Sequence, residues 1–351
     1  MSVEAAAAPA RDAASAAGSK VAAIAGLDSA TYAPSALHAE ERVWVEKNCY
    51  VDVMIEVLHA LGLEPLAVAP FVVAIDFEGD QWTFFKPPHG ELWDLYGLDV
   101  QELNVWRPLL EHVEHHVGNG RLVSTEVDAH WLPDTVGTDY RRSHTKTTII
   151  VNEIDVAARR LGYFHNARYH ALEGDDFAAI FRIGAAPDPA YLPFFAEVLR
   201  VDRVVRRPVA ELAARSRALY AHHLARRPAD NPVARFGERF ARDLPVLAER
   251  GLEHYHAWAF ATIRQLGAAF ELAALHARWL SAYLPEIAAA ASAYDAVSAG
   301  CKTLILKTAR AVNAKRPLDA RPLFDEMAAA WQRGIDCASA AVAGASPEHR
   351  T

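Results

Sequence analysis

Residues 48–63 read NCYVDVMIEVLHALGL, a cysteine set directly before an apolar run. Val51, Met54, Ile55, Leu58 and Leu61 recur at the i, i+3, i+4 spacing of one helical face. Asn48 has the short polar side chain of an N-cap, and Gly62 the backbone freedom of a C-terminal stop. Cys49 therefore falls in the first helical turn. Free N–H groups and the positive end of the helix dipole favour a thiolate there, and the same N–H groups can hold the oxyanion formed when a thiolate attacks a carbonyl. The competing role for such a residue is packing, because free cysteine is among the most buried residue types. Asp52 and Glu56 follow at i+3 and i+7 on the same side, and their charge opposes thiolate formation.

The chain around this segment has 351 residues, 52% of them hydrophobic and 23% charged, enough for one large or two ordinary domains with sizeable cores. A formal net charge of -8 argues against a general nucleic-acid binder. The three cysteines, Cys49, Cys301 and Cys337, cannot pair completely and lack metal-type spacing, which fits a reducing, cytosolic compartment. The first thirty residues are rich in Ala and Ser without a basic start and a solid apolar core, so a flexible tail over 1–35 is expected rather than a secretory signal. No run reaches the roughly 18 uninterrupted apolar residues of a membrane span.

Two regions differ in pattern. Over 36–185, helical stretches alternate with β-rich ones, and an α+β domain is expected. HGELWDLYG and RPLLEHVEHHVGNG read as helices. RLVSTEVDAHWL, KTTIIVNEID and RRLGYFHNARYHAL read as strands with β-branched and aromatic enrichment, and VQELNVW as a further strand. PFVVAIDFEGDQWTFFKPP suggests a hairpin around EGD. From about 186 to 345 the β signals disappear and five or six helices are expected, broken by Pro and Gly.

A nucleophilic cysteine needs a base and a group that orients it. His144 precedes the strand KTTIIVNEID, and the next strand carries His165 and Asn166. A cysteine on a helix, a histidine at a strand start and Asn or Asp on the following strand is the papain-like order. Other histidines cluster in EHVEHH (111–116), YAHH and EHYHAW. His112 and His116 are four apart on one helical face, but no distant third ligand is evident and no metal is expected. Arg141, Arg142, Arg203, Arg206 and Arg207 are candidates for docking an acidic partner. Cys301 lies in an apolar helix and reads as core.

On the residues NCYVD, DAHWLP (128–133), RRSHTKTTIIVNEID and GYFHN, the run from 48 to 181 resembles the butirosin-biosynthesis acyltransferase family, papain-like cysteine acyltransferases related to bacteriocin-leader peptidases. Within that group it is similar to an uncharacterised bacterial family associated with amino acid:carrier-protein ligases. The resemblance implies a papain-like domain followed by an all-α domain. It implies transfer of an acyl or aminoacyl group from a carrier-protein phosphopantetheine thioester to an amine, with that arm as donor and no permanently bound cofactor. The partners it implies are the carrier protein and its amino acid ligase. Cys49 would attack the thioester, His144 would take the proton and Asn166 would orient the imidazole. The Cys49 N–H, with the Asn48 side chain, would form the oxyanion hole, and Asp128 is a fallback orienter. Counting back from Asp155, the family's histidine aligns with Thr147, so the base falls to His144 by a three-residue shift, to His165, or to neither. The alternatives are a thioesterase or peptidase with the same site, and a non-catalytic carrier-binding scaffold.

Overall fold

The computed structural model describes residues 20–186 and 194–344. In chain order the first part contains β1 (Val21–Ala22), α1 (Cys49–Ala60), α2 (His89–Tyr96), β2 (Asp99–Glu102), α3 (Leu109–Gly118), β3 (Leu122–Asp128), β4 (Lys146–Asp155), β5 (Arg160–His165), β6 (Arg168–Glu173), α4 (Asp175–Ile180) and β7 (Ala196–Arg200). Six helices follow: α5 (Val209–Ala225), α6 (Pro232–Arg250), α7 (Leu252–Ala261), α8 (Ile263–Ser281), α9 (Ala288–Ala314) and α10 (Arg321–Gly344).

The strands form one antiparallel sheet in the order β2-β7-β3-β4-β5-β6, with β1 paired to β4. Side chains alternate between its faces. Ile150 and Phe164 pack with Val53, Met54 and Val57 of α1, while Ile149, Val151 and Tyr163 pack with Val113 of α3 and Phe177 of α4. The capped helix thus lies against one face, directly over β4 and β5. Asn48 supplies the cap: its side-chain oxygen accepts from the N–H groups of Tyr50 (3.1 Å) and Val51 (2.9 Å). Such a cap is worth about 1 kcal/mol. Gly62 adopts the left-handed backbone (φ +67) just beyond the last turn.

Three expectations need correction. The sheet continues past residue 185: β7 lies between β2 and β3, so the α+β part extends to about residue 200. Its signal is masked because Glu197, at a position that reads as polar, is fully buried and accepts from the Tyr50 hydroxyl at 2.8 Å. Residues 65–74 form a 3-10 helix and not a strand, with Pro65 and Pro70 denying it ladder donors, and the hairpin reduces to the single bridge Phe77–Trp82. Of the tail expected over 1–35, residues 1–19 lie outside the described residues. The remainder is packed, with Ala23 N–H bonded to Asn152 O at 2.9 Å and Tyr32 buried.

The segment between that packed start and α1 is anchored from both sides. Glu271 of α8 accepts from the N–H groups of Val43 (2.9 Å) and Trp44 (3.2 Å), and the Trp44 indole donates to Ser298 of α9 at 2.9 Å. Gly267 lies so close under the Trp44 ring that a β-carbon there would sit 2.4 Å from it. The helical half is therefore packed directly behind the residues that lead into Cys49.

Behind α1 lies a buried charge network. His38, fully enclosed, sets Nδ1 against Glu56 Oε1 and Nε2 3.0 Å from Asp52 Oδ1. Carboxylates only accept, so both ring nitrogens carry protons. Burial alone would lower the His38 pKa, but its hydrogen bonds and attraction to Asp52 and Glu56 raise it overall. Of the two charges of Asp52 and Glu56, expected to oppose a thiolate, one is therefore offset by an imidazolium. A group whose folded pKa is raised contributes stability that is complete below its unfolded value and is lost as pH rises through the folded one. Stability should thus decline once pH passes about 6.5 and climbs through the raised His38 value, and that decline should be absent in His38→Gln. Urea midpoints across pH 6–9 check this, and identical profiles for the two proteins would refute it.

Candidate functional site

A cavity of about 300 Å³ opens at the N-terminal end of α1. Asn48, Cys49 and Asp52 line it from the start of α1, Thr147 from β4, His165 from the end of β5 and Asn166 from the turn that follows. Thr135, Asp139 and Thr145 line it from the β3–β4 connection, Phe260 from α7, and Arg264 and Gln265 from α8. Phe84 and Phe260 are 58% and 59% exposed, leaving large aromatic surface free along this lining.

The imidazole in this cavity is His165. Its Nδ1 lies 2.5 Å from Asp134 Oδ2, and Asp134 Oδ1 accepts from the Tyr163 hydroxyl at 2.5 Å. Burial pushes the Asp134 pKa up, but the His165 hydrogen bond and charge, with help from His170 and Tyr163, hold it below the usual carboxylate range. A carboxylate on Nδ1 places the proton there and leaves the Nε2 lone pair as acceptor. That lone pair accepts from the Thr147 hydroxyl at 2.9 Å. The next residue, Thr148, accepts from the Cys49 thiol at 3.7 Å. Consecutive strand residues point to opposite faces, so the two threonines hold imidazole and thiol on either side of the start of β4. Cys49 and His165 both line the cavity.

His144, the first choice for the base, is placed elsewhere. Its side chain is 71% exposed, its Nδ1 lies 2.6 Å from Asp128 Oδ2, its ring stacks on His130 at 4.4 Å, and it is absent from the cavity lining. Asp128 thus orients His144 and not the imidazole in the cavity. Asn166 occupies the turn between β5 and β6 with φ +47, a left-handed conformation that Asn tolerates better than most residues. No hydrogen bond joins it to either histidine among the described residues. The Asn48 amide is engaged as the cap and donates to Phe85 O at 2.9 Å, which leaves the backbone N–H of Cys49 as the first-turn donor outside the cap. Thr147, which aligned with the family histidine, does reach the site, as the partner of His165.

Sequence reasoning missed Asp134. The motif DAHWLP stops one residue short of it, and a carboxylate after a proline in a loop carries no periodic signal. Phe260, Arg264 and Gln265 were out of reach for another reason: nothing local marks a helix residue two hundred positions away as part of a site. Their link is Arg264, whose terminal nitrogens donate to the carbonyls of Lys47 and Glu46, both at 3.0 Å.

Two family models match the chain: the DUF1839 N-terminal domain over residues 33–201 and the DUF1839 C-terminal domain over residues 209–340. The chain belongs to the DUF1839 family. No curated protein matches it. The two DUF1839 models meet just after β7, and the cavity takes its thiol and imidazole from the first and Phe260, Arg264 and Gln265 from the second. In this DUF1839 chain the arginines considered for docking are engaged internally: Arg141 with Asp176 (2.6 Å), Arg203 with Asp99 (2.7 Å), Arg206 with Leu61 O (2.9 Å) and Arg207 with Glu211 (3.2 Å). Among the described residues no group of three or more His, Cys, Asp or Glu side chains could hold a metal ion, and no helix is long and apolar enough to cross a membrane. Cys301 is fully buried in the helical core, and burial pushes its thiol pKa far up.

Proposed function

We propose that this DUF1839 protein is a cysteine-dependent acyl transferase with a papain-like site, in which Cys49 is the nucleophile, His165 the base and Asp134 the orienting carboxylate. The observation that carries the reading is the shared cavity: a thiol at a capped helix start and a carboxylate-oriented imidazole line the same space. The donor is a carrier-protein phosphopantetheine thioester charged with an amino acid by a partner ligase, a reading that rests on the likeness of NCYVD and DAHWLP to the butirosin-biosynthesis acyltransferases.

In the reaction, the thiol proton passes through a water in the shared cavity to His165 Nε2, which gives up the Thr147 hydroxyl, and the thiolate attacks the thioester carbonyl. A new C–S bond to Cys49 forms, the oxyanion lies at the Cys49 N–H, and the bond to the pantetheine sulfur breaks. That sulfur leaves with the proton from the imidazolium. An amine then attacks the acyl-Cys49, giving a C–N bond and releasing the thiolate, while His165 takes the amine proton and returns it to the sulfur. Catalytic hydrogen bonds are commonly long before substrate binds, so separate threonine partners for thiol and imidazole suit a resting site.

The test is to trap the intermediate. Mixed with an S-acyl pantetheine or a loaded carrier protein, the protein should gain the mass of the acyl group on the peptide containing Cys49, and added amine should release it as amide. Release by water alone would make the protein a hydrolase. Absence of any adduct, with Cys49 inert to a small alkylating reagent at neutral pH, would leave a non-catalytic scaffold.

A further inference from the structure

The charged groups around the cavity are nearly all engaged. Asp52 accepts from the Lys47 N–H at 2.8 Å and faces His38. Asp139 accepts from the Thr145 hydroxyl at 2.6 Å, and Lys146 donates to Glu126 at 2.5 Å. The two terminal nitrogens of Arg264 are directed to backbone carbonyls. Glu46 is the exception. Among the described residues its carboxylate receives no hydrogen bond, its nearest cation is Arg264 at 3.6 Å, and its side chain is 42% exposed beside the residues that lead into Cys49. A second acceptor is also unused: Gln265 Oε1 is buried without a partner, while its amide nitrogen donates to Phe260 O at 3.3 Å.

A carboxylate with one long ion pair and no hydrogen bond, beside an amide oxygen without a partner, calls for a ligand rich in donors, and an ammonium group has three N–H donors and no acceptor. We propose that Glu46, with Gln265 Oε1, binds the ammonium group of the acyl donor and so selects aminoacyl over simple acyl thioesters. The inference rests on Cys49 being acylated, and it assigns the selectivity to a residue outside the Cys49–His165–Asp134 set. Burial and the neighbouring Asp52 raise the Glu46 pKa, and an ammonium bound there would offset both. Phe260, over whose ring the Arg264 guanidinium lies at 4.8 Å, keeps that cation turned toward the ring and the carbonyls.

The test compares two donors of equal size, S-glycyl-pantetheine, which carries the ammonium, and S-propionyl-pantetheine, which replaces it with a methyl group. Initial rates of Cys49 acylation are read by intact-protein mass. The native protein should prefer the glycyl donor by on the order of tenfold or more, the worth of one charge-assisted hydrogen bond. In Glu46→Gln the ratio should fall to near one, while Glu46→Asp, which keeps the charge, should retain most of it. Because the readout is a ratio within one protein, a partly misfolded variant still reports. Equal rates in the native protein, or an undiminished preference in Glu46→Gln, would overturn the assignment while leaving the acyl-enzyme in place. Acylation by neither donor would overturn it together with the transferase reading.

Discussion

Cys49→Ala should abolish acylation by a pantetheine thioester, and His165→Ala should slow it by about 10²–10⁴-fold, the usual contribution of a positioned general base. His144→Ala should leave the rate within about threefold, as expected for an exposed side chain whose contacts lie on the surface. The contrast follows from placement. His165 is buried in the cavity with its Nδ1 fixed by Asp134, whereas His144 stacks on His130 outside it. Asp134→Asn should fall between the two: the ring would stay in place, but an amide can present a donor to Nδ1 and favour the tautomer with Nε2 protonated, which cannot accept the thiol proton. Single-turnover acylation rates measure all four. If His144→Ala is the variant that stops the reaction, the base has been assigned to the wrong strand end.

Replacing Glu56 should have the largest effect on stability. Its carboxylate is wholly enclosed and faces His38, accepts from the Ser35 N–H at 3.0 Å and accepts from the Tyr32 hydroxyl at 2.5 Å. Glu56→Gln removes one charge of a buried pair and sets an NH₂ against groups that are themselves donors. Breaking such a pair costs about 3–5 kcal/mol when the remaining charge is left alone; Asp52 still faces the imidazolium, so the loss should lie near the lower end of that range. The urea midpoint at pH 7 should fall accordingly with little change in slope. A loss below about 1 kcal/mol would mean that His38 is not held as an imidazolium. The Cys49 alkylation rate should change in the same variant, since His38 also bonds Asp52, and Asp52 fixes the Lys47 N–H two residues before the thiol.

The parts of this architecture that were legible in the sequence are those where one residue type answers one local need. Asn48 caps, Gly62 turns left-handed, and the apolar residues of 51–61 repeat with a helix period because α1 packs on the sheet through Met54 and Leu58 and against the helical half through Val51 and Ile55. The near-continuous β-branched and aromatic runs in KTTIIVNEID and RRLGYFH likewise follow from helices covering both faces. What stayed hidden depends on distant partners. Glu197 can sit inside a central strand only because Tyr50 and His89 reach it, and residues 65–74 coil despite their β-branched content because helices α5 and α8 receive them. The place of Cys49 at a helix start could be read, but which of His144 and His165 lines its cavity could not. Both precede or end a strand, and only the path of the β3–β4 connection, which brings Asp134 to one of them, separates the two.

Because Trp44 is wedged over Gly267 and the backbone of residues 43–47 is tied to Glu271 and Arg264, Cys49 stands at a seam between the two family regions. Severing the polypeptide near residue 205 would not yield a self-sufficient fragment and a dispensable one. The first piece would be left with a bare indole and unmet amide groups just ahead of Cys49, and its partner with an empty slot. Both would be prone to self-association, and activity should return only when they are produced together.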